Sequence, residues 1–275
     1  MQDWSPSQIK RYIRSAASST KVARVRTDAG DAYMKAMNNP EGPHALVREY
    51  VGTSLAKWFG LPTFEYVILE HDGVVDIPVG DGGLASAGPA FLTRAHEGGT
   101  WGGNASELEQ VENLEVVTGL VVFDTWVRNR DRCPPLGMSR KPNLDNVFLS
   151  EECASPGKYR LVAMDFTHCF QEGTTLNRHI SDIANVQDDR VYGLFTAFGD
   201  HMNTGAVDEA IRRMGTVNDG VVTDILDRIP EVWQLDTHVK NALRDFIVRR
   251  ARYLEVNLYG MLFPYLGQQD EMRIN

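Results

Sequence analysis

The chain has 275 residues, with 28 basic and 37 acidic side chains and a formal net charge of −9. Hydrophobic residues make up 43 % and charged residues 24 %, the mixture of a folded domain and not of a disordered tail. The acidic balance speaks against sequence-independent nucleic-acid binding, which depends on counterion release at a basic surface, and against an anionic membrane surface. No direct nucleic-acid partner and no membrane association are therefore expected. Cysteines 133, 153 and 169 have no CxxC spacing, as in a reduced, intracellular protein. The first residues contain no apolar signal-peptide core, and no window reaches the ~18 apolar residues of a spanning helix. A cytoplasmic location is the expectation.

Taken in chain order, Ser5-Pro6-Ser7-Gln8 combines a capping box with Pro at the first helical position, and Ile9, Tyr12 and Ile13 follow on one face. This predicts a short helix over 5–16. Residues 21–26 and 33–37 flank the turn chemistry of Asp28-Ala29-Gly30-Asp31 and read as a hairpin, preceded by a Ser-rich loop. Pro43 opens a helix with an apolar stripe through Val47, Tyr50, Val51, Leu55, Trp58 and Phe59, and Gly60 and Pro62 stop it. Residues 64–70 and 74–79 read as strands around His71-Asp72-Gly73, and 89–95 as a third. The glycine-rich run 97–103 has the composition of a flexible connector. Ser106 with Glu109 suggests a second capping box, and a helical signal in one or two pieces runs to about Arg128. Residues 129–146 form a loop rich in Pro, Gly and basic side chains, irregular because Pro134, Pro135 and Pro142 disfavour helix. Residues 147–149 and 159–164 are short apolar strands, and the remainder reads as helices ending with one over about 236–258. The fold class that follows is α+β and two-lobed, with a β-rich N-lobe over residues 1–97 and a mostly helical C-lobe over 98–275.

Several signatures are missing from the chain: GxxxxGK[ST], HExxH, GxSxG and any Cys/His zinc spacing. The seven histidines are scattered and read as surface or packing residues. What remains is an ordered set of polar residues. Asn129-Arg130-Asp131-Arg132 lies in a loop, Asn146 stands directly before an apolar strand, and Asp165 directly after a second one. Phosphoryl transfer uses such a set: one carboxylate to take the acceptor proton, and a carboxylate with an amide oxygen to hold Mg²⁺ on the phosphates. Upstream, Lys35 on the second hairpin strand and Glu49 on the next helix have the placing of an ion pair that positions ATP phosphates. Each residue taken alone could be an ordinary solvated side chain; their order makes the set.

Tyr33-Met34-Lys35, Pro43 to Glu49 and Leu55-Ala56-Lys57-Trp58-Phe59-Gly60-Leu61-Pro62 resemble the "K…ANE…LA…LGLP" pattern of HipA-like kinases. The segments 123–132 and 163–170 are similar to that family's "W..N.DR" and "AIDH.HAF". The resemblance covers roughly residues 15–170 and implies a protein-kinase-like fold and an ATP- and Mg²⁺-dependent serine/threonine kinase acting on a protein substrate. It implies that Lys35 contacts ATP phosphates and pairs with Glu49, that Asp131 is catalytic, and that Asn146 and Asp165 bind the metal. It further implies that Thr93 and Ala95 reach adenine, and that Ser18, Ser19 and Lys21 belong to a phosphate loop whose serine some relatives phosphorylate. The loop from Asp131 to Asn146 is longer than the family's, which leaves Asn143 as the alternative metal ligand. A small-molecule or lipid-head-group kinase, or a silent kinase-like binding protein, is the alternative reading. The resemblance leaves room for a regulatory protein partner.

Overall fold

The computed structural model describes residues 4–15, 22–79, 83–173 and 175–266. Ser18, Ser19 and Lys21 lie outside the described residues.

The first sheet is antiparallel throughout, with β1 (Ile9–Ser15), β2 (Ala23–Thr27) and β3 (Gly30–Lys35) joined to the later strands β4 and β5 in the order β1-β2-β3-β5-β4. The hairpin β2–β3 turns at Asp28-Ala29 as expected. Ala23, Val25 and Thr27 of β2 point inward while Arg24 and Arg26 point outward to ion pairs with Asp31. Helix α1 (Ala45–Phe59) follows and ends on Gly60, whose φ of 94° closes the last turn through its N–H to Ala56 and Lys57. Strands β4 (Tyr66–His71) and β5 (Gly88–Arg94) complete the sheet.

Four sequence expectations change here. The segment expected as a helix over 5–16 is strand β1. Its supposed cap is used elsewhere: Ser7 and Gln8 donate their backbone N–H groups to Asp28 of the hairpin turn at 2.9 and 3.1 Å, and the Ser7 hydroxyl does so too. These bonds hold the Asp28 carboxyl down at about 2, and the pairs Ile9↔Thr27 and Tyr12↔Val25 fix the edge strand. Residues 74–79 form no strand; Pro78, which cannot donate to a ladder, makes only an isolated bridge with Leu84. The glycine run contains a strand, β6 (Gly98–Thr100), rather than a free connector, and Trp101 beside it is buried. The second capping box is shifted: Glu107, not Glu109, accepts from the N–H groups of Asn104 and Gly102 at 3.2 and 3.1 Å, at the start of α2 (Ala105–Leu108).

Strand β6 joins β7 (Val147–Ser150) and β8 (Arg160–Ala163) in a second antiparallel sheet, and α3 (Val116–Val127) lies between α2 and β7 in the chain. Helix α3 is buried on nearly every side, and Leu120, Val121, Val122, Phe123 and Trp126 are fully buried, as befits a helix at the centre of a lobe. Against it pack α5 (Thr204–Met214) and the long α7 (Thr237–Leu266), and α4 (Ile183–Val186) and α6 (Asp219–Leu226) pack on α7 in turn; α7 exceeds its expected 236–258 because Leu262 and Leu266 continue the buried stripe.

Two features aim these elements at one cleft. Arg250 of α7 is fully buried and donates to the carbonyls of Thr125, Trp126, Asn185 and Val186, capping the C-terminus of α3 where the polar 129–132 segment begins. Gly52 of α1 faces Phe166, and a Cβ at that position would stand 2.3 Å from the Phe166 Cβ. No side chain larger than hydrogen fits without moving the helix. Gly52→Ala is therefore expected to lower stability: overpacking costs about 1–3 kcal/mol against the roughly 1 kcal/mol that helix propensity returns. Thermal unfolding checks this, and an unchanged or higher Tm would show that α1 can shift freely.

Candidate active site

A cavity of about 560 Å³ opens between the two sheets, a volume in the range of nucleotide-sized ligands. Its lining includes Lys35, Glu49, Asp131, Asn143, Asn146 and Asp165, so residues far apart in sequence meet on one surface.

Lys35 ends β3 with its side chain buried. Its Nζ donates to Glu49 Oε2 at 2.7 Å, to Asp165 Oδ1 at 3.1 Å and to Thr167 Oγ1 at 2.9 Å. The Phe166 N–H also reaches Glu49 Oε2 at 3.1 Å. The Thr167 hydroxyl lies 3.0 Å from Glu49 and 2.8 Å from Asp165; with Lys35 donating into it, its one proton goes to either carboxylate. Burial alone would lower the Lys35 pKa, but the charges of Asp165 and Glu49 and the bonds to both outweigh it and hold the ammonium above its ordinary value. Burial would likewise raise Asp165, yet the Lys35 charge and the bonds from Thr167 and Lys35 hold that carboxyl well below the usual range. Asp165 adopts φ +57°, uncommon outside glycine. An Asx-type bond from the Thr167 N–H at 3.3 Å stabilises that turn and keeps Oδ1 on Lys35.

On the opposite wall, Asp131 Oδ2 accepts from Asn146 Nδ2 at 2.7 Å and Asn143 Nδ2 at 3.1 Å, and Oδ1 accepts from Arg140. The carboxylate therefore meets donors on both oxygens. The 129–132 backbone that carries it is anchored from below. Asn129 donates to Asp124 at 3.1 Å and accepts from the Asp131 N–H at 3.2 Å. Arg132 Nε meets Asp124 Oδ2 at 2.7 Å, and both side chains are fully buried. Burial raises the Asp124 pKa although the Arg132 charge opposes it. Arg132 also holds the Asn146 carbonyl through Nη1 and lies 5.5 Å over the Phe166 ring, so it links the 129–132 loop, Asn146 and the post-β8 segment. Gly193 closes on this pair: its φ is +78°, and a Cβ there would be 2.4 Å from Asp124 Oδ2.

Asn146 directly precedes β7, and Asp165 lies two residues beyond the end of β8. The register Val147↔Ala163 brings the two ends to one edge of the sheet, as the sequence order suggests. Asn143 and Asn146 lie together, Nδ2 of the first donating to Oδ1 of the second at 3.2 Å, so both amides belong to one cluster. Thr93 lines the cavity from β5, paired with Tyr33 on one side and Tyr66 on the other. The Ala95 N–H is engaged by the Asp31 carbonyl at 3.0 Å. Val22, which adjoins the Ser18–Lys21 segment, also borders the cavity. Sequence reasoning passed over Thr167 and the pair Thr100–Asp145, joined at 3.1 Å on the cavity wall. The Thr after an Asp-Phe pair was the available signal for Thr167; nothing local marks Thr100, whereas Arg140 belongs to the basic insert that the sequence marks as solubilising or acceptor-contacting. Among the described residues no group of three His, Cys, Asp or Glu side chains could hold a metal, so a metal here would have to use amide oxygens as well. The three cysteines are free, and burial pushes the Cys133 thiol up to about 11.

The chain matches the HipA-like kinase family over residues 9–255 and belongs to it. It is a phosphotransferase with a two-lobed α+β kinase fold, and the family implies the use of ATP. Its fold is similar to that of the Helicobacter pylori proinflammatory kinase CtkA, at 12 % identity and a TM-score of 0.57 over 95 % of this chain and 98 % of that one. The Mycobacterium tuberculosis PknI kinase domain matches at 15 % identity and a TM-score of 0.32 over 91 % of this chain and 97 % of that one, a score too low to add to the comparison. No curated protein matches the chain. Among the described residues, no helix is long and apolar enough to cross a membrane.

The Lys35 cluster has a pH signature. Asp165 is depressed, so its contribution is complete above the unfolded value of about 4 and lost only as pH falls below it; Lys35 is raised, so its contribution is complete below about 10.4 and lost only above. Wild-type stability from this cluster is flat between. Lys35→Met leaves two buried carboxylates without a counter-charge and is expected to cost about 3–5 kcal/mol at pH 7. With the Lys35 charge gone, burial pushes the folded Asp165 carboxyl above its unfolded value, so the variant should regain stability from pH 7 to pH 5 relative to wild type. Urea unfolding at the two pH values measures this; parallel curves would show that the charges do not meet in solution.

Proposed function

We propose that the chain transfers the γ-phosphoryl group of ATP to a serine or threonine hydroxyl of a protein. The observation that carries this is the single cavity in which Lys35, Glu49, Asp131, Asn146 and Asp165 converge. Lys35 binds phosphate oxygens, and Glu49 holds the long lysine stem in place. Thr93, with Tyr33 and Phe148, supports the base end of the nucleotide. Asp165 and the Asn146 amide oxygen are hard donors of the kind Mg²⁺ takes, and Asp165 Oδ2 accepts no protein hydrogen bond among the described residues, so the donor set fits such an ion. Asn143, tied to both Asp131 and Asn146, positions these two in this reading. A divalent cation bound there supplies positive charge to the phosphates. Asp131 orients the acceptor hydroxyl and takes its proton as the new O–P bond forms and ADP departs. Arg140 covers Asp131 Oδ1, so an acceptor reaches that oxygen as Arg140 withdraws. The surrounding insert, Leu136 to Lys141, is largely exposed, which suits an acceptor side chain presented on a polypeptide.

Incubation with γ-labelled ATP and Mg²⁺, Mn²⁺ or EDTA tests the reading. Label on protein hydroxyls supports it; label only on added small molecules moves the acceptor to another class, and no transfer removes the activity. Asp131→Asn should keep ATP affinity while lowering turnover by about 10²–10⁴-fold, because an amide cannot accept the proton. A collapse of ATP binding would make Asp131 a binding residue. Arg140→Ala should lower KM for the protein acceptor several-fold and leave ATP affinity unchanged, by nucleotide titration; an unaltered KM would make the ion pair incidental.

A further inference from the structure

The chain is acidic overall, yet residues 4–27 carry six basic side chains, Lys10, Arg11, Arg14, Lys21, Arg24 and Arg26, and no acidic one. The first sheet gathers four of them. Arg11 of β1 stands opposite Arg26 of β2, and Arg14 opposite Arg24. Directly opposed residues share one face of a sheet with their Cβ atoms about 5 Å apart, and like charges so placed are destabilising. The backbone makes this coincidence. Arg11 and Arg14 are three positions apart, which in a regular strand sends side chains to opposite faces. The register of β1 shifts between Tyr12 and Arg14, where Ile13 is the extra residue, and the shift returns Arg14 to the face of Arg11.

One carboxylate serves this face. Asp31 of β3, opposite Arg26, ion-pairs with Arg24 at 2.9 Å and with Arg26. Arg11 and Arg14 are exposed and form no ion pair among the described residues. Cations on an edge strand discourage pairing with another chain, but that purpose is met by β1 alone and does not call for two more arginines behind it on the inner strand β2. The place of the face is also particular. Arg24 stands opposite Tyr33 and lies 5.9 Å over its ring, and Tyr33 lines the nucleotide-sized cavity. The arginines therefore extend one wall of the cleft outward.

We propose that the face formed by Arg11, Arg14, Arg24 and Arg26 is a docking surface for an acidic segment of a partner polypeptide, bound in extended form beside the cleft. Arg24 and Arg26 are two residues apart on one strand, about 6.7 Å, which is also the spacing of alternate side chains in an extended peptide. Guanidinium forks take carboxylates bidentately, and a carboxylate set between the arginines of each opposed pair relieves their repulsion. A longer polyanion fits less well. A duplex or an anionic bilayer presents its charge over an area wider than four side chains, and beyond this face it meets the surface of a chain whose net charge is −9. A short segment meets the arginines alone. The surface does not rest on the reading of the transfer step, because docking is measured without nucleotide.

The test is fluorescence anisotropy of the full chain with a labelled peptide of alternating glutamate and serine, against the same peptide with glutamine in place of glutamate. Wild type should bind the acidic peptide and not the neutral one, and should lose that binding as NaCl rises from about 50 mM to about 300 mM. The double variant Arg11→Gln/Arg14→Gln should bind about tenfold more weakly or worse and unfold at or above the wild-type temperature, since it removes both opposed like-charge pairs. The charge-reversed Arg11→Glu/Arg14→Glu should instead bind a peptide of alternating lysine and serine. No binding by wild type, or undiminished binding by the glutamine variant, overturns the proposal. So does a glutamine variant that unfolds below wild type, which would tie these arginines into the fold. Tighter binding of oligothymidylate or of phosphatidylserine vesicles than of the peptide, at equal concentration of negative charge, overturns the choice of partner.

Discussion

One buried ammonium organises this molecule. Lys35 reaches from the last residue of β3 to Glu49 on α1 and to Asp165 and Thr167 beyond β8, so three remote segments of the chain share a single positive charge. Burial works against the charged forms of Lys35 and Asp165, and each holds the other in its charged form. The geometry leaves little slack. The Phe166 N–H is spent on Glu49, and the Phe166 ring sits where Gly52 leaves room. The elements that bind phosphate in a kinase are therefore the same ones that clasp the two lobes, and losing the charge balance would loosen both at once.

A second buried pair does the corresponding work for the opposite wall. Asp124 is on α3 and Arg132 is in the loop that α3 launches; between them lie Asn129 and Asp131. Arg250 caps α3 from behind, and Gly193 packs against Asp124 from the side. The loop is thus fixed at its base and free at its far end, where the proline-rich insert departs and returns. The insert enters after the anchored part and rejoins at Asn143, whose N–H bonds the Arg132 carbonyl at 2.8 Å, so its length does not bear on the place of Asp131.

Much of this was legible in the sequence because the chemistry sits at the ends of regular elements. The β2–β3 turn, the Gly60 stop of α1 and the apolar runs of β7 and β8 are local signals, and they place Lys35, Glu49, Asn146 and Asp165 on their elements. Strand β1 was not legible: Ile9, Tyr12 and Ile13 satisfy a helical period, and the decision falls to Asp28, a partner twenty residues away in sequence that captures the cap. Strand β6 was hidden by glycine, whose lack of a side chain is what permits the approach at Gly98 to within 2.2 Å of the Leu149 carbonyl for a Cβ built there. Thr167 acts only through contacts with Lys35 and Glu49, far away in sequence. Such a role depends on burial, which no short window of sequence contains.

The strand hidden in the glycine run also bears on how the cleft can open. Only three residues separate Arg94, the end of β5, from Gly98, the start of β6. The Ala95 N–H is bonded to Asp31 and the Glu97 carbonyl to Glu151, and the His96 ring is pinned between Ser150 and Glu65 at 3.1 Å on each side. The crossing between the lobes is a strap woven into both sheets. A gape like that of a jaw about this point would have to unpick backbone hydrogen bonds, whereas a sideways swing of α1 would leave the strap whole. The crossing is the fixed spine of the cleft, and whatever opens the cleft has to spare it.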